Sequence, residues 1–327
     1  MCGGTMKSIF LILLLTLCFF CTACSFTNKV TVNAPKYTIQ NYNFSGEPQQ
    51  LNISYVPKRI LACGNSSIKT LIALGAEDKI IAAVLTDKYE LDYFKQTLPH
   101  TKIYTEPLQL EEVIALNPDF ILGWRRFFAD NQLGDTTTWI NKGIPAYIQD
   151  ASGPIPAKGN FPDCTIASEK QFINNIGKVV HREEQAKQLI QQIDLELQEP
   201  TPKKNQKVLF VEFLGGNIEV LGKDMLSGDI IDHYASQLVE YSAPFISQEE
   251  LMDINADKIF VVYHGGDTEK QLALEQLKNP LYAHLAAVKN GKIYPIAYRS
   301  IVAPGADLPH TLNSVSYTHL TLPTILR

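Results

Sequence analysis

The chain of 327 residues is 45% hydrophobic and 19% charged, with a formal net charge of −5. This composition excludes a disordered or fibrous chain, and the length suits two ordinary cores better than one. The charges are interspersed, with no long basic run, zinc-finger spacing or aromatic RNA-binding signature, so nucleic acid is not an expected partner.

The chain opens on an export segment. Lys7 precedes an apolar run, Ile9–Phe20, about as long as a signal-peptide core and too short to cross a bilayer as a helix. The run ends in CTAC at residues 21–24, with small Thr22 and Ala23 before Cys24. This resembles the lipobox of bacterial lipoproteins, with Cys21 standing where that motif usually has Leu. The resemblance implies removal of residues 1–23, acylation of Cys24 and a lipid anchor on the extracytoplasmic face of the membrane. Four of the six cysteines (Cys2, Cys18, Cys21, Cys24) lie in this segment. For the remaining two, Cys63 and Cys164, buried thiols are expected in preference to a disulfide. Residues 24–56, polar and rich in Thr, Asn and Gln, read as a tether and N-terminal extension.

From Arg59 a strand–helix rhythm begins. RILAC (59–63) is a short β-rich run, GNSS (64–67) a turn with capping residues, and IKTLIALG (68–75) a helical stretch closed by glycine. Strands are expected at IIAAVL (80–85), KIYT (102–105), FILGW (120–124) and AYIQ (146–149), with helices over 110–116 and near 136–142. Ser168–Gln198 keeps helical periodicity for about thirty residues. It reads as one long connecting element with a break near His181. Beyond it the rhythm resumes, with strands at KVLFVEFL (207–214), IEVLG (218–222), KIFVVY (258–263) and KIYPIA (292–297), and a helix at SGDIIDHYA (227–235). Such alternation means parallel sheet with crossover helices. The end of the chain, residues 315–327, contains VSYTHLTLPT, which resembles a translated sequencing adapter and is set aside from fold expectations.

One unit occurs twice. LEEVIALNPDFILGWRR (110–126) returns as QEELMDINADKIFVVYH (248–264), pairing Glu111 with Glu249, Glu112 with Glu250, Asp119 with Asp257 and Ile121 with Ile259. Each copy is a helix followed by a strand, and open parallel sheets bind ligands beyond the strands' carboxyl ends. The residues just after the paired strands are Trp124, Arg125 and Arg126 in one copy, and Tyr263 and His264 in the other.

KRILACGNSSIKTLIALGAEDKIIAAV, LEEVIALNPDFIL, ISQEELMDINADKIFVV and LKNPLYAHLAAVKNGKIYPI together resemble the solute-binding proteins of ABC importers for iron complexes (siderophore or haem) and vitamin B12. The similarity covers about Pro57 to Ile296. It implies an α/β fold of two Rossmann-like lobes, at 57–164 and 201–314, joined by a single long helix at 165–200. It also implies a cleft for a bulky metal chelate, and delivery to an ABC permease with its ATPase. The cargo, an iron chelate, haem or cobalamin, is carried and not converted, so no catalytic residue and no resident cofactor or metal is expected. Many members carry a permease-docking Glu on the first helix, where this chain has Lys69. The matching acid in the second lobe is Asp229.

The ligand-binding candidates follow from strand ends. Trp124 offers a flat face to a macrocycle, and Arg125 and Arg126 can pair with carboxylates of a chelate. Tyr263 and His264 are of types that ligate haem iron. Asn65 and Ser66 suit helix capping or ligand contact. Glu212, Asn217, Tyr298 and Arg299 lie at or beyond strand ends. An enzyme reading lacks support, because no GxGxxG, HExxH or GxSxG occurs. A free zinc or manganese binder is a further alternative, which needs several His and carboxylate ligands in the cleft.

Overall fold

The computed structural model describes residues 36–152, 164–198, 206–234, 237–239 and 244–320, with side chains as far as Ser316. The export segment, Cys24, the first part of the expected tether and residues 321–327 lie outside them.

The tether expected up to residue 56 is corrected by a hairpin. Tyr37–Tyr42 (β1) and Pro48–Ile53 (β2) pair antiparallel, from Tyr37 opposite Ile53 to Tyr42 opposite Pro48. Their alternation buries Ile39, Asn41, Leu51 and Ile53 on one face, the period-two signature of a half-buried pair. Asn41 ties the hairpin to the body through both backbone groups of Ile148, each at 2.8 Å. A polar average hid this alternation.

The first lobe carries a parallel sheet. Ile60–Cys63 (β3), Ile80–Val84 (β4), Lys102–Tyr104 (β5), Phe120–Gly123 (β6) and Ala146–Ile148 (β7) lie in the order β5-β4-β3-β6-β7. The intervening helices are Asn65–Ala73 (α1), Leu91–Thr97 (α2), Leu110–Leu116 (α3) and Thr136–Asn141 (α4). Every residue of β3 and β6 is buried, as expected of strands covered on both faces.

The connector is divided. Ile166–Val180 (α5) starts at a capping box, where Thr165 accepts a hydrogen bond from Ser168 N, and ends at His181, held at φ 55°. Glu183–Gln198 (α6) then folds back along it, so that Lys170 near the start of α5 bonds Asp194 near the end of α6. Gly177 admits this return, since a Cβ there would lie 2.5 Å from Ala186 Cβ. The single helix expected over 165–200 is therefore an antiparallel helical pair. Periodicity missed the reversal because both helices keep the same spacing.

The second lobe contains Lys207–Leu214 (β8), Asn217–Val220 (β9), Leu226–His233 (α7), Gln237–Leu238 (β10), Phe245–Ile246 (β11), Gln248–Asp253 (α8), Lys258–Tyr263 (β12), Asp267–Gln276 (α9), Ala286–Lys289 (α10), Ile293–Ala297 (β13), Tyr298–Val302 (α11) and Leu308–Leu320 (α12). Its sheet runs β11-β9-β8-β12-β13, with β10 beside the start of β8. β8, β12 and β13 are parallel, whereas β9 and β11 are antiparallel to their neighbours. The wholly parallel expectation fails here because Leu214 pairs with Asn217, leaving the two-residue turn Gly215-Gly216, far too short for a crossover.

The repeated unit has a physical explanation. Glu112 accepts from Gln109 N and Glu250 from Ser247 N, each closing the N-terminus of its helix. Asp119 accepts from Lys58 N and Arg59 N, and Asp257 from Lys207 N, fixing where the neighbouring strand begins. Ile121 and Ile259 are buried in their sheets. The motif is thus a recipe for starting a helix and registering a strand.

One apolar cluster extends from the first sheet through α5 to α7, α12 and the inward face of the second sheet, including Phe210, Phe260 and Tyr294. A second cluster covers the outward face, with Leu209, Val211 and Val261. α12 continues into the stretch set aside from residue 315, and Val315 is buried in the larger cluster. The lobes therefore share one continuous core on the α5 side.

Candidate functional site

The carboxyl ends of both sheets converge on one region. Within the second lobe, His264 follows β12 and stacks on Tyr298, which follows β13, with ring centroids 4.4 Å apart and planes at 26°. Behind them Glu212, only 6% exposed, places Oε1 3.0 Å from His264 Nε2. The imidazole itself is open to solvent. Across the region stands Arg126 of the first lobe, exposed, with its guanidinium over the Phe127 ring and its charge acting on Tyr298.

Electrostatics follow from this packing. Burial, then Glu219 and Glu212, push the Tyr298 phenol up to about 12, so it stays protonated at neutral pH as a hydrogen-bond donor. Glu219 is a residue that sequence reasoning missed. It lies directly opposite Glu212 in the β8–β9 register, and burial followed by the Glu212 charge raise its carboxyl above the usual range. The two-residue Gly215-Gly216 turn was the signal that could have found it, since that turn fixes the register.

The remaining candidates are distributed differently. Trp124 is 5% exposed and donates Nε1–H to Ser66 Oγ at 2.7 Å, so the expected open aromatic face is corrected to a buried strut. It lies against Gly64, at φ +108°, where a Cβ would be 3.0 Å from Trp124 Cδ1. Arg125 turns away from the region: its Nε donates to Phe44 O at 2.8 Å and its guanidinium lies 4.2 Å from the Phe44 ring centroid. Asn65 is buried and holds the loop after β4, accepting from Thr86 N and donating to Asp87 O and Glu90. Tyr263 is half-buried at the end of β12, Asn217 is exposed beside the β8–β9 turn, and Arg299 pairs with Asp87 of the first lobe at 3.0 Å. Asp229, the docking candidate, accepts a hydrogen bond from Ile166 N, at the start of α5, through one carboxylate oxygen. Lys69 is paired with Glu90 and Asp307.

Beneath Trp124 runs a buried polar chain that the sequence did not announce. Ser66 and Ser67 hydroxyls donate to Gln149 Oε1, Gln149 Nε2 donates to Ala303 O, and Gly305 N donates to Glu169 Oε2 at 2.6 Å. Gln149 and Glu169 are fully buried, and burial pushes the Glu169 carboxyl up to about 8. The chain links the first lobe, α5 and the segment before α12. Cys63 and Cys164 are buried and not joined to each other.

Among the described residues no three His, Cys, Asp or Glu side chains are grouped to hold a metal ion, and no helix is long and apolar enough to cross a membrane. Residues 60–298 match the periplasmic binding protein family. No curated protein sequence matches the chain. Among solved structures, a periplasmic binding protein from Veillonella parvula DSM 2008 is 24% identical with a TM-score of 0.75, over 86% of this chain and 91% of that one. The periplasmic catecholate-siderophore binding protein of Vibrio cholerae is 17% identical, with a TM-score of 0.65 over 85% and 98%. The periplasmic haem binding protein of the same organism is 23% identical, with a TM-score of 0.61 over 79% and 97%. With the match spanning most of its length, this chain belongs to the periplasmic binding protein family, whose members are extracytoplasmic substrate-binding receptors working with ABC permeases and ATPases, not enzymes.

Proposed function

We propose that the chain captures an iron complex, a ferric siderophore or haem, where the strand ends of its two lobes meet, and hands it to an ABC importer. The observation that carries this reading is the solvent-open His264 ring stacked on half-buried Tyr298, with Arg126 near enough for its charge to act on that phenol. A stacked ring pair supplies flat contact for a chelate, and the arginine a charge-assisted bond to its carboxylates or catecholates. Glu212 holds the imidazole by Nε2, which leaves Nδ1 as its other nitrogen for cargo. Two structural neighbours, one a catecholate-siderophore binding protein and one a haem binding protein, support the same cargo class.

A fluorescence-quenching titration with a ferric siderophore panel, haemin and cobalamin tests it. Saturable quenching by a siderophore or haemin is expected. Saturation by cobalamin alone would replace the iron complex with the neutral corrinoid. The two arginines separate site from scaffold. Arg126→Ala is expected to weaken binding about tenfold, the worth of one charge-assisted bond. Arg125→Ala is expected to leave affinity nearly unchanged and lower the melting temperature, because its guanidinium anchors Phe44.

Anchoring through Cys24 belongs to the same proposal, supported by the CTAC stretch. Cys24→Ser is expected to move the protein from the membrane fraction to the soluble one; an acylated, membrane-bound Cys24→Ser protein would refute it. A role for Asp229 in permease docking is also proposed, with one of its carboxylate oxygens left for that contact.

A further inference from the structure

The lobes also meet at contacts that the cargo reading does not use. The loop after β4, Thr86–Glu90, is tied to its own lobe by Asn65 and reaches the second lobe through three side chains, Asp87, Tyr89 and Glu90. Tyr89 lays its ring on the backbone of Gly265 and Gly266 and donates its hydroxyl to Glu269. Asp87 pairs with Arg299 at 3.0 Å, and Glu90 lies 3.8 Å from the same guanidinium. Gly265 adopts φ +106°, and a Cβ on it would come within 2.6 Å of Tyr89 Cε2. Only glycine accommodates both that backbone and that ring.

Tyr89 remains 59% exposed, so its ring adds little to the core of its own lobe. What it does touch belongs to the other lobe. We infer that Thr86–Glu90 is a clasp that holds the two lobes together at the cleft, and that its release is the step permitting them to part. The clasp consists of a few polar contacts and one largely exposed ring, with no apolar core of its own, so it is the part of the lobe contact suited to open. The shared core around α5 supplies the hinge, because it joins the same lobes without a break. The inference does not depend on which cargo the cleft accepts.

Hydrogen–deuterium exchange on the full-length chain without cargo tests it, read in peptides covering residues 86–90 and 264–269. Tyr89→Ala, a change in the first lobe, is expected to raise exchange at 264–269 in the second by about threefold or more. Arg299→Ala, in the second lobe, is expected to do the same at 86–90. Tyr89→Phe keeps the ring on the two glycines and is expected to raise exchange less than Tyr89→Ala. In all three variants β3 and β12 should keep wild-type exchange. Effects confined to the mutated lobe would overturn the clasp, as would a rise that includes β3 and β12, which would mean general loosening of the fold.

Discussion

Trp124→Ala is expected to destabilise the protein by about 3–5 kcal/mol, the usual cost of truncating a large buried aromatic residue. The cavity opens where Gly64, at the end of β3, packs against the indole. The change also removes a donor: Ser66 Oγ loses the Nε1–H that it accepts at 2.7 Å, though it keeps its bond to Gln149. Chemical denaturation should therefore report a lower midpoint with an unchanged slope. Ligand affinity, measured below the new unfolding transition, should fall less than for Arg126→Ala. The opposite ranking, intact stability with abolished binding, would restore Trp124 as a cargo platform.

Glu169→Gln should change how stability depends on pH. The folded protein holds the Glu169 proton up to about pH 8, whereas an unfolded chain releases it near 4.5, the ordinary value for a glutamate. Between these values the folded state binds more protons, so stability falls as pH rises through that window. The loss reaches on the order of 2–4 kcal/mol at its upper end, discounted from the full shift because relaxation and water entry soften the cost of a buried charge. Glutamine stays neutral throughout and its carbonyl can still accept from Gly305 N. Melting temperatures measured from pH 5 to 8.5 should therefore decline less steeply in the variant than in the wild type. A residual slope is expected from Asp150, whose carboxyl is pushed up to about 7 by burial and acts with the same sign. Parallel curves for the two proteins would show that Glu169 is already ionised in its buried position.

These two residues also mark where sequence and structure part. The chain announces the alternation of strands and helices, the doubled helix–strand unit and the family resemblance, because each is built from short contiguous motifs that can be read and compared without knowing what packs against them. Glu112 and Glu250 close their helices from three positions away, and strands such as β3 and β6 read as unbroken apolar runs. The β8–β9 pairing was equally local, written in Gly215-Gly216.

Three features needed distant partners. Trp124, Arg125 and Arg126 are consecutive, yet one is buried on Ser66, one is held by Phe44 and one is exposed toward Tyr298. Nothing in the tripeptide distinguishes them. Ser66 lies 58 residues before Trp124 and Phe44 lies 81 before Arg125, so the choice falls to whichever chain segment packs there. Likewise Glu169 is a solvent-facing acid by composition and becomes a buried hydrogen-bond acceptor only because α5 meets Gly305. Sequence by itself determined the elements, their order and the family. The tertiary structure alone decided which strand-end side chains are buried and which stay exposed, because burial of a side chain is set by neighbours brought together in space.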